Sequence, residues 1–129
     1  MRMKVCTIFV SICIVLASLS LMVGCSAIKQ QQSFGPTGFT IGPQGNYNYS
    51  LPSINKGNTV NFNFSSSGAL VNYYVYDPNN NTILTGNGGN KVASGAGSFI
   101  AASSGEYTIQ FHCTGIISSS AITISGTIN

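Results

Sequence analysis

The chain predicts an all-β protein, a single antiparallel β-sandwich, and three observations carry that prediction. Apolar and polar residues alternate with a period of two in five separate runs. Clusters of Gly, Pro, Asn, Asp and Ser punctuate those runs at short intervals. Past Cys25 nothing sustains a helical period, so about seven or eight short strands are expected, each with a core face and a polar face.

The first element stands apart from that sandwich. Arg2 and Lys4 lead an uncharged apolar stretch from Val5 to Val23, the layout of a secretory signal helix. Leu21-Met22-Val23-Gly24-Cys25 resembles the bacterial lipobox, with Met22 where leucine is usual. The resemblance implies cleavage between Gly24 and Cys25 and acylation of the Cys25 thiol. The membrane is then a partner through a lipid anchor, at the cell membrane or outer envelope. An uncleaved transmembrane helix is the rival, since about 19 apolar residues approach the roughly 20 that span a bilayer. Either way Arg2 and Lys4 hold the N-terminus inside, and the remainder lies on the extracytoplasmic side. Residues 25–45, with Gln30-Gln31-Gln32, Gly35-Pro36 and Gly42-Pro43, show no sustained periodicity and read as a flexible tether.

The sandwich is expected over residues 46–129. Tyr47 and Tyr49 alternate with asparagines, then Val60, Phe62 and Phe64 with Asn61, Asn63 and Ser65. Val71, Tyr73 and Val75 share one side of the next run, and Asn72, Tyr74 and Tyr76 the other. Phe99 follows a Gly/Ala/Ser stretch. Tyr107, Ile109 and Phe111 alternate with Thr108, Gln110 and His112, and Ile122, Ile124 and Ile128 close the chain. Between the runs, Asp77-Pro78-Asn79-Asn80-Asn81 is a strong turn, because Asp caps its start, Pro presets φ and Asn tolerates the left-handed region. Tyr107, just after Gly105-Glu106, is placed to sit in the core with its hydroxyl bonded back to a loop, like a tyrosine corner.

Removal of residues 1–24 would leave 105 of the 129 residues, enough for one domain. Cys6 and Cys13 would leave with the signal and Cys25 would carry lipid, so Cys113 has no partner and is expected as a small buried residue. Lys29, Lys56 and Lys91 against Asp77 and Glu106 give the mature part a net +1 with no basic stripe, which excludes nucleic acid as a partner. A surface of Asn, Ser, Thr, Gln and Gly suits neutral polar ligands.

One combination of segments looks like a family. Lys56-Gly57-Asn58-Thr59-Val60, Phe64-Ser65-Ser66-Ser67-Gly68 and Val75-Tyr76-Asp77-Pro78-Asn79 are followed by Ser98-Phe99-Ile100-Ala101-Ala102 and Ser104-Gly105-Glu106-Tyr107-Thr108-Ile109-Gln110-Phe111. This resembles the GOLD-type β-sandwich of Golgi cargo-receptor luminal domains and related prokaryotic surface modules, over about Tyr47 to Ile128. The resemblance implies a jelly-roll-like or GOLD-like sandwich and a non-enzymatic interaction module, with no catalytic residues to carry over. His112-Cys113 stands where such prokaryotic modules commonly have asparagine.

Chemistry is sparse. Asp77 and Glu106 are the two carboxylates, each at a position where polar residues cost little. His112 and Cys113 are neighbours on one strand and point to opposite faces, against a Cys–His dyad. No metal or cofactor is expected. The best calcium candidate is Asp77 with Asn79, Asn80 and Asn81, one carboxylate where calcium takes about six to eight oxygens. Candidate ligand-binding residues are Asn72, Tyr74 and Tyr76, joined by Tyr47 and Tyr49, flat amphipathic rings that stack on a sugar or anchor a protein. The expected function is a membrane-anchored, non-catalytic binding module for a protein or neutral glycan. The alternative is a structural surface-coat or assembly subunit that self-associates through sheet edges.

Overall fold

Alternation becomes strand wherever the sequence shows it. A computed structural model of the chain describes residues 30–129, of which Gln31–Asn129 form one unit. The expected signal segment and Cys25 lie outside the described residues. Eight strands follow in order: β1 (Gln32–Ile41), β2 (Asn46–Ile54), β3 (Thr59–Gly68), β4 (Val71–Tyr76), β5 (Thr82–Thr85), β6 (Ser94–Ile100), β7 (Gly105–Cys113) and β8 (Ser120–Ile128). They form two four-stranded antiparallel sheets, ordered β1-β8-β3-β6 and β2-β7-β4-β5. Consecutive strands change sheet at every step except β4 to β5. This is the jelly-roll arrangement of a β-sandwich.

Buried residues alternate along the central strands. Val60, Phe62 and Phe64 of β3, Val71, Tyr73 and Val75 of β4, Tyr107, Ile109, Phe111 and Cys113 of β7, and Ile122, Ile124 and Ile128 of β8 make the core. Phe64 meets both Tyr73 and Phe111 edge-on, with centroids 4.9 Å apart in each pair, the geometry that sets positive ring edges against negative faces. The Tyr107 hydroxyl donates to the Ser103 carbonyl at 2.8 Å and accepts from the Ser103 N–H at 3.3 Å, closing the turn before its own strand.

Residues expected as flexible tether prove to be a strand. β1 pairs with β8, Phe39 opposite Ile122 and Ile41 opposite Ser120, so the domain starts near Gln32 rather than at Asn46. Its register breaks between Phe34 and Thr37, where Gly35-Pro36 intervenes. The break destroys the period-two pattern in the sequence, and with it the strand signal. β5 is also new, four residues between two turn clusters.

The two open sides of the sandwich are closed differently. Between β1 and β2, Phe39 stacks on Tyr47 with centroids 3.9 Å apart and planes 12° from parallel. Between β6 and β5, Tyr73 reaches out of β4 and its hydroxyl donates to the Ala96 carbonyl at 3.1 Å. Burial pushes the Tyr73 phenol above its usual pKa. Its ring lies where a Cβ on Gly86 would come within 2.1 Å of it, and a Cβ on Gly95 within 3.1 Å.

Candidate binding face

The outward face of the β2-β7-β4-β5 sheet gathers most of the polar side chains singled out above. The registers put Asn46, His112 and Asn72 in one row across β2, β7 and β4. Asn48, Gln110, Tyr74 and Thr85 form the next row, and Ser50, Thr108, Tyr76 and Thr82 the third. Tyr74 and Tyr76 are half-buried neighbours on this face, two residues and about 7 Å apart along the strand.

Hydrogen bonds tie the rows together. His112 Nδ1–H donates to Asn46 Oδ1 at 2.8 Å, and Gln110 Nε2–H to Asn48 Oδ1 at 3.0 Å. The Tyr76 hydroxyl makes a long 3.4 Å contact with Gln110 Oε1. At the rim, the Ser50 hydroxyl donates to Glu106 Oε1 at 3.0 Å. Asn72 Oδ1 is buried with no partner among the described residues. An amide carbonyl left in that state costs about 1–3 kcal/mol unless something donates to it.

Tyr47 and Tyr49 do not belong to this face. They lie opposite Phe111 and Ile109 on the core side of β2, where Tyr47 stacks on Phe39 and Tyr49 sits 6.0 Å from Phe34. The same alternation then turns Asn46 and Asn48 outward. Those two asparagines, with Gln110 and His112, are the face residues the sequence analysis missed. Tyrosine fits either face of a strand, and β1, which supplies Phe34 and Phe39, was not visible as a strand.

At the calcium candidate the carboxylate is engaged by its own turn. Asp77 Oδ1 accepts the N–H groups of Asn79 (2.9 Å) and Asn81 (2.8 Å), and Asp77 Oδ2 accepts the Asn81 side-chain amide at 3.0 Å. The carboxylate is thus turned into its own loop. Its pKa is lowered, first by the Asn81 side chain and then by the Asn81 and Asn79 backbone donors. Among the described residues no group of three His, Cys, Asp or Glu side chains could hold a metal ion. His112 and Cys113 face opposite ways: Cys113 is buried and its Sγ–H points to the Ser118 carbonyl at 3.5 Å.

What remains is a surface of amides, hydroxyls, one imidazole and two phenol rings, with Glu106 at its rim. It can stack on an apolar ring face and exchange neutral hydrogen bonds with polar groups beside it. No helix among the described residues is long and apolar enough to cross a membrane.

No family model matches the chain. No curated protein matches it either. Among solved structures it is similar to PliG of Aeromonas hydrophila, a periplasmic inhibitor of g-type lysozyme, at 18% identity and TM-score 0.46, over 73% of this chain and 85% of that one. It is also similar to a CBM4 structure, at 12% identity and TM-score 0.43, over 73% of this chain and 89% of that one. The CBM36-1 domain of a multidomain xylanase from the hindgut metagenome of Trinervitermes trinervoides aligns at 11% identity and TM-score 0.41, over 78% of this chain and 97% of that one.

Proposed function

We propose that this chain is an extracytoplasmic, membrane-anchored binding module without catalysis, and that the outward β2-β7-β4-β5 face holds its ligand. The observation that carries the reading is the pair Tyr74 and Tyr76 set in an uncharged grid of Asn48, Gln110, Thr108 and Ser50. Aromatic faces flanked by neutral hydrogen-bonding groups suit a neutral glycan or the polar-aromatic surface of a protein. The GOLD-type resemblance of Lys56 to Phe111 supports an interaction module. Anchoring rests on the lipobox-like Met22-Val23-Gly24-Cys25, with Cys25 acylated. Asn72 stands in the first row of the same face, opposite His112.

The test is a glycan array and a pull-down from the native envelope with the unaltered protein and a Tyr74→Ala/Tyr76→Ala variant. Loss of both rings is expected to weaken the captured ligand at least tenfold, since a well-placed aromatic contributes about 1.4 kcal/mol or more. Equal capture by both forms would remove this face from consideration. Intact-mass analysis checks the anchor separately: a chain starting at a diacylated or triacylated Cys25 is expected, and one starting at Met1 overturns it.

A further inference from the structure

Three loops meet at the end of the sandwich where β8 begins. They are residues 42–45 between β1 and β2, 69–70 between β3 and β4, and 114–119 between β7 and β8. Ile116 and Ile117 are neighbours in the last of these, 77% and 92% exposed, and Leu70 of the adjoining loop is 42% exposed. The fold gains no stability by holding such side chains in water.

The loop that carries the two isoleucines is nevertheless held firmly at its base. The Gly115 carbonyl accepts the Gln44 N–H at 3.0 Å, and the Ser119 carbonyl accepts the Ala69 N–H at 3.0 Å. The Leu70 carbonyl accepts both the N–H of Thr114 at 3.0 Å and its hydroxyl at 2.8 Å. Gly115 is packed so closely that a Cβ on it would come within 2.4 Å of the Ser118 carbonyl oxygen and 2.7 Å of the Ala69 methyl. Bonds to both adjoining loops thus fix the two ends of the segment, and Ile116 and Ile117 stand on it as a preformed knob. Preformation spares a partner the entropy of ordering the loop.

We infer that this loop is a docking plug, its Ile116-Ile117 tip entering an uncharged apolar cleft of a partner protein on the extracytoplasmic side. Charge, area and reach argue for that occupant. None of the three loops contains a charged residue, whereas Lys56, Asp77 and Glu106 all lie toward the opposite end of the strands. The tip is also small and convex. Two copies meeting tip to tip would fall short of the roughly 1,200 Å² that a stable interface buries, while a cleft covers the knob and the flanks of its loop together. The bilayer that anchors the chain is the remaining apolar occupant, and the chain is too short for it. It enters the domain at the other end, with Gln32 opposite Ile128 and Ile41 opposite Ser120. With Cys25 in the lipid, the segment from Ser26 to Gln31 spans at most about 22 Å. β8 alone covers about 27 Å, so the sandwich cannot be turned end over end on that leash. The inference rests on the reading of the chain as an anchored, extracytoplasmic binding module, but not on Tyr74 and Tyr76.

The experiment puts the photo-crosslinking residue p-benzoylphenylalanine in place of Ile117 in the full chain in its native envelope, with Ala102 at the opposite end as the comparison site. A discrete protein adduct is expected from position 117 and not from position 102, its crosslinked peptide lying in an uncharged apolar cleft of the captured protein. That protein, purified, should bind the full chain in detergent, and Ile116→Ser/Ile117→Ser should bind it at least tenfold more weakly, as loss of two buried isoleucines requires. Both positions are exposed, so the variant keeps its core. Tyr74→Ala/Tyr76→Ala should bind the same protein as the unaltered chain does. A crosslink to lipid, to a second copy of this chain, or to nothing beyond the position 102 background overturns the inference. So does equal binding by Ile116→Ser/Ile117→Ser. Loss of binding by Tyr74→Ala/Tyr76→Ala alone would put the partner on the sheet face and overturn the plug while sparing the proposed function.

Discussion

Tyr107 shows how one side chain serves two masters. Its ring stacks 5.2 Å from Phe99 in a residue only 1% exposed, while its hydroxyl donates to the Ser103 carbonyl and accepts from the Ser103 N–H. Tyr107→Phe keeps the ring and strands the turn, so a loss of roughly 1–2 kcal/mol is expected, read as a lower denaturation midpoint at unchanged m-value. Asp77 makes a pH-dependent contribution. Its pKa is lowered in the fold by Asn81 and Asn79, so its stabilisation is full above the ordinary carboxylate pKa of about 4 and is lost as pH falls through the lowered value. Asp77→Asn should be less stable than the unaltered protein near neutrality, and the gap should close in urea titrations carried below pH 4. A gap that stayed constant with pH would assign the effect to geometry instead.

At the scale of elements, glycine placement decides how the β6 side closes. Gly86 is buried in the 3₁₀ turn Gly86–Gly89, and a Cβ there would stand 2.1 Å from the Tyr73 ring. Gly86→Ala is expected to cost about 1–3 kcal/mol by overpacking, and to lose most of that penalty in a Tyr73→Ala background, where the ring is gone. Additive losses in the double-mutant cycle would mean that the backbone of the turn, not the ring, resists the change. Gly97 holds the same relation to Phe62, whose ring a Cβ would approach within 2.4 Å. Gly97 and Gly95 thus let β6 lie close over the Phe62 and Phe64 rings.

At the scale of the whole molecule, the connectivity makes nearly every pairing non-local. β1 waits for β8 and β2 for β7, so no sheet can assemble from one end of the chain and slow folding is expected. Cys113 reports on the same cooperativity. It is fully buried on β7 between the sheets, so thiol labelling is expected at the rate of global unfolding and should rise with denaturant along the unfolding limb. Labelling at a denaturant-independent rate would show instead that the β7–β8 end opens locally.

The all-β class, the core faces of β3, β4, β7 and β8, the Tyr107 turn and the burial of Cys113 were legible in the order of residues alone. All of these follow from alternation and turn chemistry within a few residues. Long-range packing sets the existence of β1, the placing of Tyr47 and Tyr49 on the Phe39 side of β2, and the sharing of one face by Asn46, Asn48, Gln110 and Tyr74. β1 carries a register break that hides its period, and it is held by pairing with β8, the last strand of the chain. Phe39 of β1 stacks on Tyr47 and brings Tyr49 to the core side with it. A tyrosine fits both water and core, so its side of the strand is set by what packs against it, and here that partner comes from another sheet.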